Sequence, residues 1–270
     1  MSDSQIQTFQ EIIWDSYRQY GRADLPWRVP VADGCFDPYF IMVSELMLQQ
    51  TQVPRVMPKY EAFLAQFPTV QALATTNLGG VLRAWQGLGY NRRAKFLWQA
   101  AQMVVEQGAF PATVPELVRL PGIGPNTAGA ILAYAYNQPA VFVETNIRTV
   151  YIHHFFADTT DIADKEIIML LEQTLDREHP REFYWALMDY GTWLKATIGN
   201  LNTASRHYAK QSKFHGSRRQ IRGQIIRLLG ERPRTFAELE TTVLDGRLPT
   251  VLAELTAEGL IREQRGTYAL

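Results

Sequence analysis

Apolar residues recur at helical spacing over most of the chain before residue 230. Three segments show the pattern most clearly: FQEIIWDSYRQY (9–20), YEAFLAQF (60–67) and RRAKFLWQAAQMVVEQG (92–108). Apolar side chains three or four residues apart predict amphipathic helices. Proline and glycine separate these segments, and strand-like alternation of useful length is confined to the last ten residues. The pattern predicts an all-α fold for the residues up to about 212.

The C-terminal residues 213–270 carry a different pattern, with three shorter helical segments and one alternating segment. These are SRRQIRGQIIRLLG (217–230), TFAELETTV (235–243), LPTVLAELTAEGL (248–260) and LIREQRGTYAL (260–270). The first is expected to end at Gly230, and the second begins with a capping box formed by Thr235 and Glu238. The last segment alternates around an Arg-Gly pair, which predicts a hairpin. Three helices followed by a two-stranded wing predict a winged helix.

A carboxylate interrupts the apolar segment from Tyr39 to Leu48, in which Ser44 and Glu45 are the polar residues. A carboxyl group among apolar side chains is partly desolvated, which raises its pKa and suits a general acid. The alternative is a solvated residue on an ordinary helix surface.

A second motif, LVRLPGIGPNTAGAILAYAY (117–136), places a tight turn between two helical patterns. Gly122 and Gly124 are expected to permit positive φ and close approach of the backbone. The next helix is expected to begin at Pro125 or Asn126, and the free N–H groups of a helix start attract a phosphate. A plain connection between two helices is the alternative.

Glu144 ends a short apolar run and precedes an amphipathic helix that contains Arg148. A carboxylate at this position can serve as a second catalytic group. It can also be a helix-start residue that complements the helix dipole.

Six motifs together resemble the helix–hairpin–helix DNA glycosylase superfamily, in its endonuclease III and adenine glycosylase branch. The most similar members are the adenine DNA glycosylases of the MutY type. The resemblance covers about residues 8–195 and rests on LPWR (25–28), SELMLQQTQV (44–53), FPTVQALA (67–74), GLGYNRRAKFL (87–97), LPGIGPNTAGAIL (120–132) and ETNIRTV (144–150).

The resemblance implies roles for the first group of residues. Glu45 matches the acid that protonates the leaving adenine. Gln49 and Gln50 match a pair beside the flipped nucleotide, and Tyr90 matches an aromatic residue that intercalates next to the opposite base. Glu144 and Asn146 match the family's second carboxylate and a nearby asparagine, although the family usually has Asp at position 144.

The resemblance also implies how the hairpin holds DNA. The backbone of Leu120, Gly122 and Gly124, with Asn126 and Thr127 at the helix start and Arg148 further on, would bind the DNA backbone. In similar proteins the carbonyls of Val118, Leu120 and Ile123 hold Na⁺ or K⁺ when DNA is bound. Where lyase relatives have a Schiff-base lysine, this chain has Asn126, and an amide cannot form an imine. The resemblance therefore implies a monofunctional glycosylase.

Cysteine content separates this chain from most of the family, which carries four cysteines on an iron–sulfur cluster. The single Cys35 excludes such a cluster. Arg206, Lys210 and Lys213, in the equivalent stretch, are expected to contact phosphates instead, with a solvated linker as the alternative. The 8-oxoguanine-recognition domain is expected to be absent, with the winged helix in its place as a DNA-binding, structural or protein-contact module.

Charge and hydropathy complete the expectations. The formal net charge is zero, but the stretch from Lys195 to Arg234 has ten Lys and Arg residues and one acid, Glu231. No apolar run reaches the ~18 residues of a membrane helix, and the polar N-terminus is unlike a signal peptide. We expect a cytoplasmic, nucleoid-associated monomer that requires no cofactor. His153 and His154 are expected to pack in an apolar helix rather than bind metal.

These expectations define domains and an activity. Residues 1–212 are predicted to form the glycosylase domain, with one lobe from roughly 30–140 and another from 1–29 plus 141–212, and residues 213–270 the winged helix. The predicted function is excision of a mispaired base from double-stranded DNA in base excision repair, with adenine opposite 8-oxoguanine or guanine as the first candidate. A different base, such as thymine or uracil opposite guanine, and a non-cleaving damage-binding module remain alternatives.

Overall fold

The computed structural model describes residues 1–210 and 213–270. In chain order, the helices of these residues are α1 (Asp3–Tyr20), α2 (Pro38–Leu48), α3 (Val53–Gln66), α4 (Val70–Thr75), α5 (Leu78–Ala84), α6 (Arg92–Gln107), α7 (Val114–Leu117), α8 (Pro125–Tyr136), α9 (Thr145–Phe155), α10 (Asp164–Thr174), α11 (Pro180–Thr197), α12 (Arg218–Glu231), α13 (Phe236–Val243) and α14 (Leu248–Ala257). The strands are β1 (Arg234–Thr235), β2 (Arg262–Gln264) and β3 (Thr267–Ala269), and 3₁₀ turns lie at Pro26–Arg28 and Leu201–Ala204.

Two compact units divide the chain. The first contains Met1–Ile41, Pro111–Arg119 and Ile123–Lys210, and the second contains Met42–Phe110, Leu120–Gly122 and the described part of Gln211–Leu270. The lobe and domain limits predicted above stay predictions, and the limit at 212 and 213 borders on residues 211 and 212, which lie outside the described part of the chain.

The first unit is built around α1, α9 and α11. A capping box at Ser2 and Gln5 begins α1, and its buried residues Phe9, Ile13 and Ser16 follow helical spacing. This apolar face packs against α11, which also packs along α9. The helices predicted from hydrophobic periodicity are therefore present, and their apolar faces form the core.

A buried ion pair closes the first unit. Asp189 in α11 is only 3% exposed, and its carboxylate accepts two hydrogen bonds from Arg28, at 2.7 and 2.9 Å. The Arg22 backbone N–H and Nε donate to the same carboxylate, both at 2.8 Å. Losing Asp189 would leave the buried Arg28 charge uncompensated, at a cost of about 3 to 5 kcal/mol. Arg28 of the LPWR motif therefore has a structural partner.

In the second unit, α6 supplies a long apolar face that packs on α4 and α5. Its buried residues include Ala94, Leu97, Ala101 and Val104. Trp85, which is fully buried, packs edge-on against Phe63 of α3 with ring centroids 6.1 Å apart.

The predicted winged helix is confirmed. Helices α12–α14 are followed by an antiparallel hairpin that joins a three-stranded sheet in the order β1-β3-β2, in which Tyr268 pairs with Arg234 on one side and Glu263 on the other. The two-residue strand β1 was not predicted, because two residues beside a helix cap leave no alternating pattern. The expected helix end at Gly230 was wrong, because α12 continues to Glu231. A Cβ at Gly230 would lie 2.3 Å from Gln86 Nε2, which is the end of a flexible side chain and could move aside.

The winged helix belongs to the second unit and packs on α5 and α6. Lys95 of α6 donates to the Glu258 carbonyl, at the C-terminal end of α14, at 2.5 Å, where the helix dipole favours a cation. A Cβ at Gly79 of α5 would lie 3.2 Å from the Leu270 Cβ. The helices of both units confirm the predicted mostly helical fold class. No described helix is long and apolar enough to cross a membrane.

Candidate active site

Glu45 lies in the last two turns of α2, on the part of the helix that belongs to the second unit. Its side chain is half-buried, while its neighbours Ser44 and Leu46 are 1% and 0% exposed. The partial burial of this residue agrees with the sequence analysis, and the role of its carboxyl stays a prediction.

Arg93 of α6 holds the end of the helix that carries Glu45. Its Nη1 donates to the carbonyls of Leu46, Met47 and Gln49 at 2.8, 3.0 and 2.5 Å. Its Nη2 donates to Thr51 Oγ1 and to the carbonyls of Leu88 and Gly89, at 3.1 to 3.2 Å. A helix C-terminus leaves carbonyls without partners, and a guanidinium satisfies several of them and complements the dipole. Burial lowers the pKa of Arg93 to about 10, so it stays charged at neutral pH.

The two glutamines that follow α2 form a tight turn. Gln49 is half-buried, whereas Gln50 is exposed and has φ of +56°. Residues other than glycine rarely adopt positive φ, and such positions are often found at functional sites. The turn leaves Gln50 exposed, which is compatible with the predicted role beside a flipped nucleotide.

Tyr90 lies in a second strained loop of the same unit. The Trp85 indole N–H and Arg93 both donate to the Gly89 carbonyl, at 3.0 and 3.2 Å, which fixes the loop. Tyr90 has φ of +48°, an unusual conformation for a bulky residue. Its ring lies 5.3 Å from the Arg93 guanidinium and 5.6 Å from that of Arg219. Arg219 also donates a 2.7 Å hydrogen bond to the Tyr90 hydroxyl.

The glycine-containing turn contacts the helix of Glu45 within the second unit. Gly122 has φ of +81°, and a Cβ there would lie 2.8 Å from the Phe96 Cβ and 3.4 Å from Leu46 Cδ2. Both the positive φ and the close approach predicted for Gly122 are confirmed. Leu120 beside it is buried.

Gly124 differs from Gly122 in its backbone conformation. Its φ of −89° is open to any residue, so it does not use the positive φ that glycine permits, and a Cβ there would meet nothing within 4 Å apart from its neighbours in the chain. Helix α8 begins at Pro125, as predicted, and Gly124 is its N-cap, with no side-chain capping hydrogen bond. A helix start without a side-chain cap is a suitable place for a phosphate.

The residues of the predicted cation site are divided between the units. Val118 and Ile123 belong to the first unit and Leu120 to the second. Val118 is 38% exposed and Ile123 is buried. The Na⁺ or K⁺ site stays a prediction. Among residues 1–210 and 213–270, no three His, Cys, Asp or Glu side chains are grouped to hold a metal ion.

Asn126, in the first turn of α8, holds the backbone that leads to Glu144. Its Nδ2 donates to the Val143 carbonyl at 2.9 Å, and the Val143 N–H donates to its Oδ1 at 3.4 Å. The amide thus pairs with both polar groups of one residue, as a neighbouring strand would. Thr127 beside it is half-buried. Asn126 therefore fixes the residue that precedes Glu144, and its contact with DNA stays a prediction.

Glu144 is the N-cap residue of α9, but its side chain makes no capping hydrogen bond. Burial raises the pKa of its carboxyl, and the nearby Arg148 opposes the shift. Arg148 itself forms two 2.7 Å hydrogen bonds with Asp164. The side chain does not cap its own helix, and the alternative of a helix-start residue that complements the helix dipole stays open beside the catalytic one.

Asn146 is oriented by α11. Its Nδ2 donates to Thr192 Oγ1 at 3.1 Å. A Cβ at the adjacent Gly191 would lie 2.3 Å from the Asn146 carbonyl oxygen, so only glycine allows α9 and α11 to approach this closely. The predicted pair of Glu144 and Asn146 thus begins one helix.

The basic residues predicted to contact phosphate are exposed. Arg206 pairs with Asp161, at 2.6 Å, whereas Lys210 and Lys213 lie on the surface on either side of the gap in the described residues. Their contact with phosphates stays a prediction.

The predicted packing role of the histidine pair is supported. His154 Nε2 lies 3.1 Å from the Tyr190 hydroxyl, and its ring packs edge-on against Phe9. Burial and the neighbouring His153 lower the pKa of His154 to about 4.

Two arginines near the candidate site were missed by the sequence reasoning. Arg93 had a signal, because it occupies the first position of the buried stripe of α6 that continues through Leu97 and Val104. A charged residue on an apolar face is usually buried for a specific partner. Arg219 had no such signal, since it is 129 residues from Tyr90 in the chain.

Comparison with known proteins agrees with this geometry. A family model described as HhH-GPD superfamily base excision DNA repair protein matches residues 43–176. The chain is 33% identical to the adenine DNA glycosylase of Buchnera aphidicola subsp. Baizongia pistaciae, over 81% of this chain and 63% of that protein. It is 34% identical to the adenine DNA glycosylase of Mycobacterium tuberculosis, over 94% of this chain and 91% of that protein. A thermostable thymine-DNA glycosylase shares the fold, with a TM-score of 0.61 at 23% identity, covering 70% and 87% of the two chains.

The fold and the matched family model define the class of this protein. It is a helix–hairpin–helix protein of base excision DNA repair, of the DNA glycosylase class. The similarity to the mycobacterial adenine DNA glycosylase, which extends over 94% of this chain, narrows the class to one family within the superfamily. The chain belongs to the adenine DNA glycosylase family of the HhH-GPD superfamily.

Proposed function

We propose that the protein is a monofunctional DNA glycosylase that removes adenine opposite 8-oxoguanine or guanine. The observation that carries the proposal is the half-buried Glu45 at the end of a helix whose last carbonyls are held by Arg93. A protein that only bound DNA would have no chemical use for a carboxyl in this position. The relatives named adenine DNA glycosylase support adenine as the leaving base.

Glu45 acts as the general acid in this mechanism. An enzyme that works on a base must take it out of the stack, and adenine is a poor leaving group until a ring nitrogen is protonated. Partial desolvation favours the protonated carboxyl, and it strengthens a hydrogen bond to the base. Gln49 and Gln50 are assigned to the flipped nucleotide and the space that it leaves.

Glu144 stabilises the sugar in this mechanism. Loss of the base leaves positive charge on C1′ and the ring oxygen, as in sugar hydrolysis by paired carboxylates. Because burial raises the pKa of Glu144, its ionised form is poorly solvated in the free protein. A poorly solvated anion gains more from a developing positive charge than a solvated one does. Water then completes the cleavage.

The absence of lyase activity rests on Asn126, which occupies the position of the Schiff-base lysine in lyase relatives. Its amide is already bonded to Val143, and it has no amine with which to form an imine. We expect borohydride to trap no covalent complex and the product to be an intact abasic site.

A different target base is the second candidate, and Glu144 favours it. Glutamate is one methylene longer than the aspartate usual in the family, which changes how the carboxylate meets the sugar. Thymine or uracil opposite guanine is therefore the competing substrate. The likeness to a thymine-DNA glycosylase is one of fold alone and does not favour either base.

Double-stranded DNA is the proposed partner, bound as a monomer in the cytoplasm at the nucleoid. The start of α8 is assigned to a DNA phosphate, and the lack of a side-chain cap at Gly124 supports this assignment. The carbonyls of Val118, Leu120 and Ile123 are assigned to Na⁺ or K⁺ when DNA is bound. No other cofactor is required in this proposal.

A single-turnover assay tests the proposal. Duplexes carry adenine opposite 8-oxoguanine or guanine, thymine or uracil opposite guanine, and common damaged bases, and alkali reveals abasic sites. Release of adenine that is lost in Glu45→Gln supports the first candidate. Release of thymine or uracil alone would show that the second candidate is the substrate, with the same proposed mechanism. No release from any duplex refutes the proposed enzyme activity on these bases.

A further inference from the structure

The N-terminal turn of α12 brings the winged helix to the loop that carries Tyr90. Arg219 donates to the Tyr90 hydroxyl at 2.7 Å and lies 5.6 Å from its ring. Arg93 lies 5.3 Å from the same ring, so two guanidinium groups lie close to one aromatic side chain. Tyr90 is 37% exposed and its backbone has φ of +48°. Strained backbone at an exposed residue is often found at functional sites, and here two cations lie close to the exposed ring.

Contacts other than that of Arg219 fix the winged helix to the same unit. Lys95 donates to the Glu258 carbonyl, Gly230 lies directly against Gln86, and Gly79 against Leu270. Arg218 and Arg222, on either side along α12, pair with Glu254 and Glu258 of α14. The position of α12 is thus set by packing and by internal ion pairs, and the Arg219 contact with Tyr90 is an addition to them.

We propose that the winged helix reads the base opposite the excised one, and that Arg219 is the residue that does so, held in place by Tyr90. This inference rests on the proposed glycosylase function. It assigns a role to the winged helix. It also identifies a specificity-determining residue outside the residues 43–176 matched by the family model.

The chemistry of a guanidinium predicts which opposite bases it favours. Arginine has five N–H donors and no acceptor. Guanine presents O6 and N7 as acceptors in the major groove, and 8-oxoguanine presents O6 and O8. Cytosine presents an amino donor there, which a guanidinium cannot accept. Arg219 should therefore favour guanine and 8-oxoguanine over cytosine, whereas a contact with phosphate would favour none of them.

Equilibrium binding of the full-length protein tests the proposal without requiring cleavage. The probes are duplexes with 2′-fluoro-2′-deoxyadenosine opposite 8-oxoguanine, guanine or cytosine, because the fluorine opposes positive charge on the sugar and prevents excision. Wild-type protein is compared with Arg219→Ala, Arg219→Gln and the control Arg227→Ala. Arg227 is exposed on the same helix and pairs with Glu231. Fluorescence anisotropy gives Kd at several salt concentrations.

We expect Arg219→Ala to weaken binding about tenfold to the duplexes with 8-oxoguanine and guanine, and to leave the cytosine duplex unchanged. Arg227→Ala should preserve the wild-type preference. Arg219→Gln, which is less disruptive to packing, should also lose the preference, so a folding defect in the alanine variant does not decide the result.

Three results would overturn the proposal. Equal weakening on all duplexes, with a smaller dependence on salt, would assign Arg219 to a phosphate. Unchanged binding by Arg219→Ala would show that its contact with Tyr90 serves packing only. Equal wild-type affinity for the three duplexes would show that the protein does not distinguish the opposite base. A parallel cleavage assay separates this inference from the proposed function. If the protein excises no base but Arg219→Ala loses the binding preference, the proposed enzyme activity is refuted. The proposed recognition of the opposite base by Arg219 is then retained.

Discussion

The two candidate catalytic carboxylates are supported in different ways. The end of α2, which carries Glu45, is held by the buried guanidinium of Arg93, which donates to three carbonyls and to the Thr51 hydroxyl. The segment before Glu144 is held by the neutral amide of Asn126 through two hydrogen bonds to Val143. One support is charged, buried and extensive, and the other is neutral and local.

The difference follows from the neighbouring backbone and matches what each carboxyl is expected to do. A helix C-terminus exposes several carbonyls at once, and a guanidinium satisfies them as a set. The single residue Val143, before the start of α9, needs one donor for its carbonyl and one acceptor for its N–H, and the Asn126 amide supplies both. A neutral support also leaves the raised pKa of Glu144 in place, whereas a second cation beside Arg148 would lower it.

The largest effect is expected when the carboxyl on α2 is replaced by an amide, which has no acidic proton to donate. Glu45→Gln should reduce single-turnover cleavage by about 10² to 10⁴-fold, because a general acid contributes that much, while duplex affinity stays near wild type. Glu61→Gln, at an exposed position on α3, is the matched control and should cleave normally. A Glu45→Gln enzyme with normal turnover would remove Glu45 from the mechanism.

Removing the charged support is expected to have the second-largest effect. Arg93→Met should lower the free energy of unfolding by about 3 kcal/mol, because it leaves several buried carbonyls without donors. It should also reduce cleavage. Urea denaturation followed by circular dichroism measures the stability, with Arg92→Met, at a 63% exposed neighbour, as the control. Equal stabilities of the two variants would show that the α2 end does not depend on Arg93.

Removing the neutral support is expected to cost less. Asn126→Ala should destabilise the protein by about 1 kcal/mol and lower the cleavage rate about tenfold, with duplex affinity nearly unchanged. Asn126→Asp keeps the acceptor for the Val143 N–H but places a carboxylate oxygen against the Val143 carbonyl, so it should destabilise the protein more than the alanine variant does. A loss of affinity without a change in rate would instead assign Asn126 to DNA binding alone.

The smallest effect concerns Glu144 and depends on pH. Its pKa is raised in the folded protein, so the folded state binds the proton more tightly than the unfolded state. The stability associated with this group is complete below its ordinary pKa and is lost as pH rises through the raised value. Glu144→Gln should therefore be more stable than wild type at neutral pH and equal to it in acid. Thermal unfolding measured from pH 4 to 8 checks this, and a constant difference would refute the assigned cause.

Local features of the fold and site could be predicted from the sequence. The apolar run around Glu45, the glycine at 122 and the helix start at Pro125 each depend on neighbouring residues, and each was predicted correctly. Gly124 does not use the positive φ open to it, because glycine permits that conformation without requiring it. The contact of Arg219 with Tyr90 was beyond reach, since the chain between them passes through both units.

The buried pair of Arg28 and Asp189 has a consequence for synthesis of the protein. The partners are 161 residues apart in the chain, and the first unit is interrupted by most of the second. On the ribosome, α1 and the LPWR motif emerge long before α11 and remain without their partner until it follows. During that interval the apolar face of α1 is exposed to solvent, and exposed apolar surface is what chaperones bind. The first unit therefore completes its folding late, when residues beyond 189 have left the exit tunnel.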